Sequence, residues 1–437
     1  MTTKRQLFGT DGVRGEAGTF LTAELATALG KAAAASLDAE RPQVLIVRDT
    51  RESGPMLESA LAAGIAAAGG DALLGGVLPT PAAAVLVKRL GLDLAAVVSA
   101  SHNPYRDNGI KFFSAQGTKL DDEAEAGIEA LLDADDDTVE PGQVRELNGG
   151  LEDYLRALQV AFPLDLSGRH VMLDCANGAT FRAAPAIFER LGATVETIGA
   201  EPDGRNINED CGSTHLDRLA AAIADSGATI GFAFDGDGDR VLAVDGSGRS
   251  HDGDELIALI ARGMAGRGEL PGGVAVTVMS NYGFHQAMEQ AGIAVAVTNV
   301  GDRYVLDELR ERGWALGGEQ SGHIIDTRMV ATGDGIAAAL ATLRELGGGD
   351  LAAVETMEKL PQTLVNVKVA DREAIAGAKP VWEAVGREEK ALEGRGRVLL
   401  RPSGTEPLVR VMVEAPTPEE ADSVCERLVS LVRQELA

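Results

Sequence analysis

The strongest constraint on this chain is a rhythm. Short runs of β-branched or aliphatic residues alternate with Ala/Leu-rich stretches of helical length, and a turn-rich segment follows each run. Val44 to Val47, Ala95 to Ser99, Val171 to Asp174, Thr229 to Phe234, Val274 to Val278 and Ala294 to Thr298 are such runs. The pattern predicts α/β units with mainly parallel mixed sheets. In such units ligands bind beyond the carboxyl ends of the strands, so the polar loops there are the places to search for chemistry.

At 437 residues the chain is long enough for several domains of ~100 to 200 residues each. An acidic stretch at Asp133 to Asp137, a Gly/Ser turn at Asp245 to Gly248 and a segment around Lys359 to Thr363 mark breaks. They predict α/β domains over 1–150, 151–248 and 249–360, open to being structural copies of one another, and a smaller α+β domain over 361–437. That last piece reads strand Leu364 to Val369, helix Ala374 to Leu392, strands Val398 to Arg401 and Leu408 to Glu414, and helix Pro418 to Glu435.

Forty basic residues against 67 acidic ones leave a net charge of −27, which argues against nucleic acid or an anionic membrane surface as a partner. Ten Phe, two Trp and four Tyr provide little material for stacking on bases. Cys175, Cys211 and Cys425 lie far apart, without a Cys-x-x-Cys pair, so neither a disulfide framework nor a thiolate zinc site is expected. No apolar run follows the basic residues near Met1, and Asp71, Pro79 and Pro81 interrupt the apolar tract that starts at Leu61. A reducing, cytoplasmic setting and no membrane segment are therefore expected.

Four segments carry chemistry. Val97 to Val98 runs into Ser99-Ala100-Ser101-His102-Asn103-Pro104, and Asp107 to Phe113 follows. Ser101 should stand at a strand's carboxyl end with the backbone turned sharply behind it, where a nucleophile would be placed. An ST-turn without chemistry has the same signature, and no Gly-x-Ser-x-Gly elbow supports acyl transfer. The second segment is Asp235-Gly236-Asp237-Gly238-Asp239-Arg240. Three carboxylates at spacing two, separated by glycines, are hard oxygen ligands suited to Mg²⁺. A hairpin turn needs no three aspartates, and a calcium EF-hand fails because Arg240 and Gly246 stand where that loop needs glycine and glutamate. Arg240 beside a metal triad points to a phosphate held there.

The third segment, Gly317-Gly318-Glu319-Gln320-Ser321-Gly322-His323, can aim Glu319 and Ser321 together at hydroxyls or an amino group. The fourth, Arg401-Pro402-Ser403-Gly404-Thr405-Glu406-Pro407 with Arg410, has the composition of a phosphate cradle, though a Pro/Gly turn between strands would also use it. Phe8 to Gly15 and Thr298 to Arg303 group glycines with Asp and Arg in a similar style. Neither a dinucleotide fingerprint nor a P-loop is present. Together the segments propose a serine poised for phosphoryl transfer, a metal site, a ligand-gripping loop and a separate phosphate loop. That inventory suits a reaction carried by positioning and charge neutralisation.

In this order, "SASHNP", "DGDGDR", "GEQSGH" and "RPSGTEP", with "FGTDGVRG" and "DNGIKFF", make the whole chain resemble the α-D-phosphohexomutases, most closely their bacterial-type phosphoglucosamine mutase branch. The resemblance implies three similar α/β domains and a smaller C-terminal domain around a central cleft. It implies that Ser101 is a phosphoserine which, with Asp235, Asp237 and Asp239, holds one Mg²⁺ per active site. It places Arg14, His102 and Lys111 around the transferring phosphoryl group, with Lys111 as general base. It assigns Arg240, Asp302, Arg303, Glu319, Ser321 and His323 to the substrate, and Arg401, Ser403, Gly404, Thr405 and Arg410 to its non-reacting phosphate. The implied reaction interconverts glucosamine 6-phosphate and glucosamine 1-phosphate through a 1,6-bisphosphate, for UDP-N-acetylglucosamine and cell-wall precursor synthesis. Glucosamine or glucose 1,6-bisphosphate would activate it, and a homodimer is implied. Gln320 within "GEQSGH" favours glucosamine over glucose or mannose. The alternatives are a phosphomannomutase/phosphoglucomutase or an inactive phosphosugar sensor. An anionic substrate in an acidic protein further predicts that Arg14, Lys111, Arg240, Arg303, Arg401 and Arg410 converge on one positive cleft.

Overall fold

A computed structural model describes residues 7–9, 11–132, 139–403 and 406–436. It divides into two compact units, Met1–Met279 with Ile293–Glu355, and Ser280–Gly292 with Thr356–Ala437. The acidic stretch expected to link the first two domains falls largely in 133–138, outside the described residues.

The first unit contains three sheets of six, five and four strands. Each is built on the same four-strand pattern. In the first, Gln43–Arg48 lies between Asp71–Val77 and Leu94–Val98, all parallel, and Asp107–Ser114 returns antiparallel beside Leu94–Val98. The second repeats this with His170–Asp174, Thr194–Ile198, Ile230–Phe234 and antiparallel Val241–Asp245. The third repeats it with Gly273–Thr277, Ala294–Thr298, Leu316–Gly318 and antiparallel Ile324–Asp326. The sequence left open whether the three α/β segments are copies; in strand order and direction they are.

Leu94–Val98, Ile230–Phe234 and Gly273–Thr277 are buried at every position, as strands covered on both faces must be. Their unbroken apolar runs therefore carried the expectation well. The additional edge strands Val13–Glu16, Val144–Glu146 and Ser250–His251 are short and gave no such signal. The turn at Asp245 to Gly248 joins Val241–Asp245 to Ser250–His251 within the second sheet.

In the second unit a three-stranded antiparallel sheet runs in the order Gln362–Lys368, Leu408–Glu414, Arg397–Pro402. Its strands and the helices Lys379–Leu392 and Pro418–Leu436 reproduce the expected β-α-β-β-α order. The expected helix from Ala374 is instead a 3₁₀ segment, Arg372–Gly377, and the α-helix restarts at Lys379. Pro380, in the first turn, lacks an N–H and starts a helix rather than continuing one. Helix Tyr282–Gln290 belongs to this unit, where the Tyr282 amide donates to Glu414 Oε2 at 2.8 Å and Glu414 also pairs with Arg397 at 2.7 Å. All three cysteines are buried and free. No helix among the described residues is long and apolar enough to cross a membrane.

Candidate active site

In each repeated sheet the connection from the third strand to the antiparallel fourth leaves the carboxyl end of a parallel strand. These three equivalent connections are residues 99–106, 235–240 and 319–323. They carry three of the four segments singled out in the sequence. Ser101 is 2% exposed, and its backbone is left-handed at φ 52°. Its hydroxyl donates to Asp235 Oδ2 at 2.6 Å, and Nδ1 of His102 lies 3.3 Å away. Burial, then the charges of Arg240 and Arg14, lower the His102 pKa, so its ring is neutral near pH 7.

Two glycines let the aspartate loop approach. Gly238 takes φ 74°, and a Cβ on Gly236 would stand 2.5 Å from the Ser101 carbonyl oxygen. Asp235, Asp237 and Asp239 are all buried, and each offers an oxygen within 4.8 Å of the others. Lys111 Nζ donates to Asp237 Oδ2 at 2.6 Å and lies 3.5 Å from Asp239 Oδ2. Thr80 Oγ1 also donates to Asp237 Oδ2, at 2.5 Å. Burial, then the like charges of Asp239 and Asp237, push the Asp235 pKa well above the carboxylate range. Burial also opposes charge on Asp239, but Lys111, His323 and Arg240 outweigh it and hold that pKa well below the usual range. Asp237 Oδ1 and Asp239 Oδ1 are buried without a hydrogen-bond partner among the described residues. Crowded, partly orphaned carboxylate oxygens fit a small divalent cation, which relieves their repulsion and takes up their free lone pairs.

Lys111, expected as a general base, is ion-paired with the triad. Burial disfavours its charge, yet Asp237, Asp11 and Asp239 outweigh that and raise its pKa above the ordinary lysine range.

Next to the triad opens a cleft of about 550 Å³, whose wall includes Arg14, Arg240, Asp302, Arg303, Glu319 and His323. Nε of Arg14 and Nε of Arg240 are buried without a hydrogen-bond partner among the described residues. The third loop frames the cleft. Glu319 Oε1 accepts the Gly301 amide at 3.0 Å, while Ser321 is exposed. His323 Nε2 accepts the Gly333 amide at 2.9 Å, so the ring hydrogen belongs on Nδ1, which faces Asp239 Oδ1 at 3.6 Å. Arg303 is drawn toward Asp122, Glu125 Oε2 (3.2 Å) and the Leu120 carbonyl (3.1 Å). Asp302 and Asp11 share Lys119, whose Nζ lies 2.6 and 2.5 Å from them, and Asp11 also pairs with Arg14.

Of the six cations expected to converge on one positive cleft, Arg14, Arg240 and Arg303 line this one, and Lys111 sits in the adjacent triad. Seven carboxylates line the wall (Asp11, Asp121, Asp122, Asp239, Asp302, Asp307, Glu319) against Arg14, Lys119, Arg240 and Arg303. Asp11, Thr80 and Lys119 carried no expected role. Asp11 stood in view in the "FGTDGVRG" segment; the others had no local signal.

In the second unit Arg401 and Arg410 stand directly opposite each other on neighbouring antiparallel strands. Burial and the like charge of Arg410 lower the Arg401 pKa. Like charges in that register destabilise a sheet unless an anion sits between them, and Arg410 Nε is buried without a partner among the described residues. Ser403 is 3% exposed, and its Oγ accepts the Glu406 amide at 3.3 Å. Gly404 and Thr405 lie outside the described residues.

Models of the phosphoglucomutase/phosphomannomutase family match the chain in four consecutive pieces. The α/β/α domains I, II and III match residues 5–139, 152–248 and 252–364, and the C-terminal domain matches 364–431. A curated relative from Moorella thermoacetica, named phosphoglucosamine mutase, is 50% identical over 433 residues, covering 96% of this chain and 97% of its own. Among solved structures, a phosphoglucomutase/phosphomannomutase family protein from Burkholderia thailandensis superimposes with a TM-score of 0.83 at 24% identity, covering 98% of this chain and 97% of that one. The N-acetylphosphoglucosamine mutase of Aspergillus fumigatus, solved in complex with GlcNAc-6P and magnesium, gives a TM-score of 0.69 at 20% identity, covering 99% and 96%.

Proposed function

We propose that this chain, which belongs to the phosphoglucomutase/phosphomannomutase family, interconverts glucosamine 6-phosphate and glucosamine 1-phosphate through a phosphoserine at Ser101 and a 1,6-bisphosphate. The half-identical Moorella thermoacetica relative of that name supports the choice of sugar. One observation carries the chemistry: the Ser101 hydroxyl lies 2.6 Å from Asp235 in a buried carboxylate triad, at the edge of a cleft. A serine held there is a phosphoryl carrier rather than a turn cap.

In the reaction a sugar hydroxyl oxygen forms a bond to phosphorus as the bond from phosphorus to Ser101 Oγ breaks. The bisphosphate then turns over and returns its other phosphoryl group to Oγ. Asp235, Asp237 and Asp239, with the Ser101 phosphate, would hold one Mg²⁺, which when bound supplies positive charge beside the transferring group. Arg14 and Arg240 would stabilise the phosphoryl oxygens, and Lys111, as general base, would take the proton of the attacking sugar hydroxyl. His102, whose Nδ1 lies 3.3 Å from Oγ, would return a proton to Oγ as it leaves phosphorus. Glu319, Ser321, Asp302, Arg303 and His323 would orient the sugar, and Arg401, Ser403, Gly404, Thr405 and Arg410 its second phosphate. A 1,6-bisphosphate activator, a homodimer, a cytoplasmic setting and the domain limits 1–150, 151–248, 249–360 and 361–437 complete the reading.

Two assays test it. Ser101→Ala should abolish isomer formation and phosphate incorporation; full activity in that variant would overturn the mechanism. Glucosamine 6-phosphate should be preferred over glucose and mannose 1-phosphates at matched concentrations. A preference for either neutral sugar by about an order of magnitude in kcat/KM would overturn the sugar assignment.

A further inference from the structure

Among the described residues, Arg51 is the largest side chain that is completely buried, at 0% exposure. It follows the first parallel strand of the first sheet, yet its guanidinium serves the serine loop. Nη2 donates to the carbonyls of Ser101 (3.0 Å) and Asn103 (2.8 Å), while Nη1 donates to those of Asp107 (2.9 Å) and Pro104. Nε donates to Asp49 Oδ2 at 2.8 Å. The same Asp49 oxygen accepts the Ser99 hydroxyl at 2.6 Å, and Ser99 Oγ in turn accepts the Ser101 amide at 3.0 Å. From the second sheet, Asn208 Nδ2 donates to the same two carbonyls, Ser101 at 2.9 Å and Asn103 at 3.1 Å.

Ser101 is thus gripped at both its N–H and its C=O, and each carbonyl flanking His102 receives two donors. That grip coincides with a backbone angle, φ 52°, which L-residues rarely adopt. Asn208 itself sits at φ 59°. Turning the Ser101 carbonyl down into these donors leaves its side chain facing Asp235. Neither Arg51 nor Asn208 forms a hydrogen bond to Oγ.

We propose that Arg51 and Asn208 are positioning residues for phosphoryl transfer, fixing the Ser101 backbone so that Oγ stays aligned with the aspartate triad. The inference rests on the reading of Ser101 as the phosphoryl carrier. Misplacing a reacting atom by about 1 Å costs roughly a hundredfold in rate, so loosening this grip should appear in the transfer step.

The test uses the full chain, phosphorylated at Ser101, mixed with glucosamine 1-phosphate in single turnovers. Loss of Ser101 phosphate is followed by mass spectrometry, alongside KM and melting temperature. Asn208→Gly removes the two donors but suits the left-handed backbone. It should slow transfer by about tenfold or more while KM stays within about twofold and the melting temperature stays near wild type. Arg51→Lys should slow it further, because one ammonium cannot reach four carbonyls. If that buried substitution fails to fold, Asn208→Gly decides alone. Wild-type transfer rates in Asn208→Gly, or a loss that merely follows the folded fraction or a raised KM, would overturn the proposal. If wild-type protein transfers nothing from Ser101, the reading of the serine falls first and this inference with it.

Discussion

Gly236 shows how finely one position can control the site. Adding a Cβ brings carbon to 2.5 Å from the Ser101 carbonyl oxygen, which Arg51 and Asn208 already hold. Gly236→Ala should therefore lower stability by about 1–3 kcal/mol and mutase activity by more than the folded fraction explains, as read by thermal denaturation and a coupled assay. Asp235→Asn keeps the shape but removes one carboxylate. Millimolar Mg²⁺ should raise the wild-type melting temperature and raise that of the variant clearly less, which scanning fluorimetry can check. Ser101 and the three aspartates were legible because each cluster is local in sequence and unusual in composition. Thr80, Arg51 and Asn208 were not. Thr80 meets Asp237 across 157 positions and Asn208 meets Ser101 across 107, and only the docked sheets supply that proximity.

Among elements, the helix Gly335–Leu346 shows how support is built behind the loops. Its N-cap, Asp334, accepts the Ala337 amide at 2.9 Å and the Tyr154 hydroxyl at 2.9 and 3.0 Å, and the next residue's amide donates to the Gly238 carbonyl at 3.0 Å. Burial raises the Asp334 pKa to about 6 against these hydrogen bonds. The folded state thus binds this proton more tightly than the unfolded chain, whose carboxyl titrates near 3.8. The resulting stabilisation is fully present below about pH 4 and disappears as pH rises through 6, amounting to at most about 3 kcal/mol. The stability of wild type relative to Asp334→Asn should accordingly fall between pH 4 and pH 6.5 in denaturant titrations. At this scale the sequence was most readable where strands are buried on both faces, and least where they are edges. Val144–Glu146 is exposed at all three positions, so no apolar run announces it. The threefold pattern was legible through the resemblance but not from periodicity, because it lies in strand order and direction, not in residue identity.

For the whole molecule the acidic balance gains a sharper meaning. The net charge is −27, and the cleft wall sets seven carboxylates beside four cations, so a bound divalent metal would add to the charge that favours a phosphosugar. Removing divalent metal with a chelator should therefore weaken phosphosugar binding by about tenfold or more, roughly 1.4 kcal/mol, by isothermal titration. Binding of equal strength with and without metal would show that the arginines suffice. The sequence could not show the cations' partners: Arg303 turns to Asp122 and Glu125, and Lys111 to Asp237. Ser101 lies on a loop of the first sheet, the oxygen 2.6 Å from it on a loop of the second, and the imidazole facing Asp239 on a loop of the third. Catalysis is thus the common property of three pieces that could each keep their secondary structure after drifting apart. Turnover becomes a gauge of their mutual docking, and on warming it should fade before circular dichroism records any loss of helix or strand.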